Sequence, residues 1–88
     1  MAYQLTFTLR FQKHYQTKTE QEKKQLLRKL ELLTENPAHL SLRTKRIQGT
    51  DILFESSVNM DMRIIWCYDG DDIIVLVDVG HHDILKRF

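Results

Sequence analysis

Two features of this 88-residue chain carry the most chemistry. One is Arg63, alone in the apolar run Met62-Arg63-Ile64-Ile65-Trp66, and the other is His81-His82-Asp83, which follows the most hydrophobic stretch, Ile73 to Val79. A guanidinium on a sheet face can grip a phosphate through two donors and stabilise the extra negative charge that builds when the phosphorus is attacked. An imidazole titrates near neutral pH, so it can take the proton of a ribose 2′-hydroxyl or return one to a leaving oxygen. Converging across an open sheet face, the two would bind and cut a phosphodiester.

Alternation along the strand puts Met62, Ile64, Trp66 and Tyr68 on one face and Arg63, Ile65 and Cys67 on the other. Trp66 and its neighbours suit a helix-covered core, which leaves Arg63 on the uncovered face. The competing reading of Arg63 is an ion pair with Glu55 or Asp78 on a neighbouring strand, worth little if exposed. Adjacent strand residues point to opposite faces, so at most one of His81 and His82 faces Arg63. The other reading of the pair has one ring capping a final helical turn and the second solvated. Asp83 either assists the chemistry or serves as N-cap of that turn. Glu55, across from the arginine strand, is a second acid/base or a holder for Arg63.

No cofactor is implied. Consecutive histidines do not converge on a metal and the lone Cys67 is remote from them. Asp69, Asp71 and Asp72 lack the loop length and terminal Glu of an EF-hand and read as hairpin-turn acids. His14 and His39 have no partners in their local patterns and read as surface residues.

The elements that must position these groups are legible in order. Tyr3, Leu5, Phe7 and Leu9 alternate with polar residues, a strand with one buried face. Phe11 and Tyr15, four apart, suggest a short helix laying both rings on the sheet. Thr19 and Glu22 have the spacing of a capping box, and Leu26, Leu27, Leu30 and Leu33 follow as one apolar stripe of a second helix. Asn36-Pro37 ends it, because the residue before proline is pushed out of the helical region. Ala38 to Thr50 shows no period and reads as a basic loop carrying Arg43, Lys45 and Arg46. Strands at Leu53–Val58, Met62–Tyr68 and Ile73–Val79 follow, and Ile84 to Phe88 forms a helical turn or a tail. The order β-α-α-β-β-β predicts an α+β fold: a small, twisted, mainly antiparallel four-stranded sheet with both helices on one face and the other face left for a ligand.

The length suits one small domain spanning 1–88, with little stability to spare. No apolar run approaches the ~20 residues of a membrane-spanning helix, and one unpaired cysteine suits a reducing cytoplasm. The net charge of +1 hides an asymmetry: residues 1–50 hold ten Lys/Arg against four Asp/Glu, and residues 51–88 hold three against eight. The first half therefore suits a polyanion or an acidic protein. The total is low for a protein that binds RNA mainly by neutralising phosphates.

The strand order, the Asn36-Pro37 stop, Ile47-Gln48-Gly49, Met62-Arg63-Ile64-Ile65-Trp66 and Val79-Gly80-His81-His82-Asp83 together resemble the RelE/ParE superfamily of toxin–antitoxin toxins. The last segment is nearest its RelE-like and YafQ-like branches. The resemblance covers nearly the whole chain through motifs that are individually weak. It implies a ribosome-dependent endoribonuclease that cuts mRNA without a metal, by 2′-hydroxyl attack, and is held inactive by a cognate antitoxin protein in a hetero-oligomer. On that resemblance the strand arginine falls on Arg63 and the catalytic histidine on His82, with His81, Asp83 and Glu55 assisting. Arg43, Lys45, Arg46, Lys86 and Arg87 would meet RNA. Two departures are visible: Glu55 and Ser57 stand where RelE has lysines, and Lys86 stands where many relatives have an aromatic, with Phe88 the nearest substitute. Two other readings stay open, a ParE-like protein that poisons DNA gyrase by binding and a member that keeps only antitoxin binding.

Overall fold

A computed structural model describes residues 2–88, apart from the side chain of Arg87. The elements are β1 (Gln4–Phe7), α1 (Leu9–Gln16), α2 (Glu20–Glu35), β2 (Lys45–Arg46), β3 (Phe54–Ser57), β4 (Met62–Asp69) and β5 (Ile73–His81), with 3-10 turns at Leu40–Leu42 and His82–Arg87. The sheet order is β1-β5-β4-β3-β2, with β1 parallel to β5 and every other pairing antiparallel. The expected four strands are thus five. The addition is β2, two residues inside the basic loop, too short to show a period; Lys45 pairs with Glu55 and Arg46 with Phe54.

Local chemistry sets the boundaries. β1 is shorter than its alternating pattern because Thr8 turns the chain into α1, its hydroxyl accepting from the Phe11 amide at 3.1 Å. The capping box of α2 forms as its spacing requires, with Glu22 N to Thr19 Oγ1 at 3.1 Å and Thr19 N to Glu22 Oε1 at 2.9 Å. The helix stops at Glu35, ahead of Asn36-Pro37.

Both helices pack on one face. Phe11 of α1 and Leu26, Leu30 and Leu33 of α2 meet Met62, Ile64 and Trp66 of β4 and Ile74, Leu76 and Val79 of β5. Each fully buried leucine here contributes about 1.5–3 kcal/mol of burial energy. Trp66 is buried there as its face predicts, and its indole donates to Ser56 Oγ at 2.8 Å, which shares a 2.7 Å hydrogen bond with Thr44.

The opposite face is less open than expected. Ile84, Leu85 and Phe88 from the C-terminal turn join Ile47, Leu53, Ile65 and Val77 in a second apolar cluster that roofs the middle of the sheet. A β-bulge in β5 divides that strand: Trp66 faces Leu76 and Ile65 faces Asp78, leaving Val77 as the extra residue.

Candidate functional site

Arg63 stands on β4 between Ser57 of β3 and Gly80 of β5. Its guanidinium donates from Nη1 to the Asn59 and Met62 carbonyls at 2.8 and 3.1 Å, and among the described residues it has no carboxylate partner. The ion pairs with Glu55 or Asp78 do not form. Glu55 is buried and faces Lys45 Nζ at 3.9 Å, so it steadies β2 rather than Arg63. Two carbonyls hold the arginine without neutralising it, and it keeps further donors for an anion.

Those donors open on a groove of about 420 Å³ where α2, the Leu40–Leu42 turn and the β3–β4 hairpin meet, lined by Lys29, Ser41, Arg43, Asn59 and Arg63 among others. Three cations and no carboxylate line it, while Ser41, Ser57 and Asn59 supply neutral polar groups. Lys29 of α2 is steadied by the Ser41 carbonyl, to which its Nζ donates at 3.2 Å. Arg43 holds a left-handed conformation (φ 47, ψ 44), the single non-glycine residue with positive φ among those described. Such a conformation costs a side-chain-bearing residue roughly 1–3 kcal/mol. Lys45 and Arg46 are exposed beside it, Arg46 lying 5.7 Å over the Phe54 ring.

The histidine pair is split by the strand end. His81 pairs with Met62, so it projects toward the helix side, away from Arg63. Its Nδ1 meets Asp61 Oδ2 at 3.0 Å and its Nε2 faces Glu22 Oε2 at 3.6 Å. The Glu22 carboxyl itself is held below its ordinary value, mainly by the Thr19 amide. His82 begins the C-terminal turn and is exposed, with no hydrogen bond or ion pair among the described residues. That turn covers Arg63's side of the sheet, because Ile84 packs over Gly80, the register partner of Arg63. Asp83 is not the N-cap; it sits inside the first turn, and His81 takes the cap position without a side-chain bond. Lys86 is exposed, and the Arg87 side chain lies outside the described residues.

The pairing of Asp78 with His14 escapes sequence reasoning, which put His14 on the surface without a partner and offered Asp78 to Arg63. Asp78 is fully buried; its Oδ1 accepts from the Val79 amide at 2.8 Å and lies 2.5 Å from His14 Nδ1, while Oδ2 faces Arg10 Nε at 3.6 Å. The available signal was an acid in an otherwise apolar strand run, which demands a partner from elsewhere in the fold. No group of three or more His, Cys, Asp or Glu among the described residues could hold a metal ion.

This sheet order, with two helices on one face and a short C-terminal turn on the other, is the fold of the RelE/ParE-type toxins. The chain superposes on the DinJ–YafQ toxin–antitoxin complex of E. coli with TM-score 0.78 at 18% identity, covering 97% of this chain and 98% of that one. The archaeal RelE–RelB complex from Pyrococcus horikoshii OT3 gives 0.76 at 18% identity over 92% and 96%. The YoeB dimer from Staphylococcus aureus gives 0.77 at 16% over 93% and 99%. No protein-family profile and no curated protein matches the sequence.

Proposed function

We propose that this chain is the toxin of a type II toxin–antitoxin pair, acting as a ribosome-dependent endoribonuclease that cuts mRNA by 2′-hydroxyl attack. One observation carries the reading: Arg63, Arg43 and Lys29 share a groove with no acid in it, a field suited to a phosphate backbone. Arg63 stabilises the charge that gathers on phosphorus, and His82 moves a proton as general acid or base. Asp83 and His81 flank His82 at the start of the C-terminal turn. Arg43, Lys45, Arg46, Lys86 and Arg87 hold the message or ribosomal RNA.

The partner is a cognate antitoxin. Solved toxins of this fold are seen with RelB and with DinJ. An apolar groove of about 440 Å³ between β1, α1 and α2, with Phe7 and Leu27 half exposed beside it, supports a protein partner here. No described helix is long and apolar enough to cross a membrane.

Induction followed by primer-extension mapping of message ends tests the reading. New ends should appear within translated codons, and R63A and H82A should abolish both the ends and the growth arrest while melting near wild type. Intact message together with blocked DNA supercoiling would establish a gyrase poison instead. Complex formation without arrest would establish a member that only binds.

A further inference from the structure

A 2′-hydroxyl attack needs two proton-transfer groups, one to deprotonate the nucleophile and one to protonate the leaving oxygen. His82 supplies one. We infer that His14 supplies the other, from a second part of the site between α1 and the end of β5, with buried Asp78 as its positioning residue; this rests on the nuclease reading above.

The geometry is that of an oriented base. Asp78 has no solvent exposure, and a carboxylate so placed is retained at a cost of several kcal/mol unless it is paired. Its Oδ1 meets His14 Nδ1, which assigns the proton to Nδ1 and leaves Nε2 as the free acceptor. Oδ2 makes no hydrogen bond among the described residues and faces Arg10 Nε at 3.6 Å, so the imidazole on Oδ1 is the main side-chain partner of the carboxylate. The His14 ring is half-buried and borders a cavity of about 150 Å³, also lined by Lys18, Gly80, His81 and Asp83.

The charged groups around His14 come from every neighbouring element. Asp78 faces it from β5, Arg10 approaches through Asp78 from its own helix, and Lys18 stands in the α1–α2 connection. His81 and Asp83, which flank His82 in sequence, come from the strand end and the C-terminal turn. The cavity is bordered by both chain neighbours of His82 and holds a lysine able to neutralise a phosphate oxygen. In the step assigned to it, His14 Nε2 takes the proton of the 2′-hydroxyl as that oxygen bonds to phosphorus. The bond from phosphorus to the 5′ oxygen breaks, and the leaving oxygen takes its proton from the imidazolium of His82. The products are a 2′,3′-cyclic phosphate and a 5′-hydroxyl, with no water consumed.

The test is RNA cleavage in a reconstituted translation mixture by the full chain, with pH–rate profiles and melting curves for H14Q and D78N. The conservative H14Q should lower kcat by about 100-fold or more with KM little changed, the usual size of a general-base contribution. It should also remove one limb of the pH profile while the protein is still folded. D78N should lower kcat with KM little changed while the protein stays folded, and 15N spectra should show the proton on Nδ1 of the wild-type imidazole, a signature D78N loses. If H14Q cleaves at the wild-type rate, or loses activity only in proportion to its unfolded fraction with the profile unaltered, His14 is a structural pin and the inference fails while the nuclease reading stands. A wild-type protein that cleaves nothing overturns both.

Discussion

Gly80→Ala isolates the contact on which the C-terminal turn rests. Gly80 has no positive φ, so alanine meets no backbone strain there, and restricting the unfolded chain would by itself stabilise by about 0.4–1 kcal/mol. Against that, the new Cβ would lie 2.9 Å from Ile84 Cδ1, 3.3 Å from its Cβ and 3.4 Å from its Cγ1. Forcing a methyl into a packed site costs about 1–3 kcal/mol, so the net is a destabilisation of roughly 1–2 kcal/mol. For a domain of this size that lowers Tm by about 5–15 °C. Ile84→Val removes the nearest atom and alone costs about 0.5–1.5 kcal/mol. In the G80A background the same change should be neutral or stabilising, because it relieves the overlap. Urea melts of the four proteins measure this coupling, expected near 1 kcal/mol. A G80A variant as stable as wild type, with the two changes additive within about 0.3 kcal/mol, would refute the packing of this turn over Arg63's neighbour.

Three other outcomes follow from separate contacts. Ser56→Ala leaves the buried Trp66 indole without its acceptor and should cost about 1–3 kcal/mol, with a shift in tryptophan emission; unchanged stability and emission would refute the bond. The Glu22 carboxyl is held low in the folded chain, so its contribution is fully present above its unfolded value of 4.5 and is lost as pH falls below that value. Thr19→Ala should remove about 1 kcal/mol at pH 7, and Glu22→Gln should flatten stability between pH 5 and about 3; an equally steep acid limb in Glu22→Gln would contradict this. Arg63→Ala and Lys29→Ala should each weaken RNA binding uniformly across sequences and reduce the salt slope by about 1, whereas an unchanged slope would remove the phosphate groove.

The elements were readable where their signals are local. The capping box, the proline stop and the alternation of β4 are each set by residues within a few positions of one another, and each forms as its spacing dictates. The sequence placed Trp66 in the core and Arg63 on the other face correctly for the same reason. What escaped depends on distant residues meeting. β2 exists because Lys45 and Arg46 find β3, and the roof over the second face exists because Ile84 reaches Ile65 and Ile47. His14 looked solitary because its partner lies 64 residues away. The groove at Lys29 was not legible because Ser41 and Arg43 close it from a loop without a period.

The bulge at Val77 decides how these residues are sorted. Strand faces alternate strictly, so one extra residue transfers everything beyond it to the opposite side. Counted from the Trp66–Leu76 pair without a bulge, Val79 would stand opposite Arg63 and His81 would project from Arg63's face. The extra residue instead places Gly80 opposite Arg63, where Ile84 can settle, and sends His81 toward Asp61 and Glu22. It also coincides with the end of β1. Thr8 donates its hydroxyl to the Val77 carbonyl at 2.7 Å and starts α1, and α1 then carries His14 alongside the stretch of β5 that β1 no longer covers. An apolar run such as Ile73-Ile74-Val75-Leu76-Val77 has no alternation in which an insertion would be visible. One irregularity thus leaves His82 to begin the turn over Arg63's face and brings Asp78 to His14.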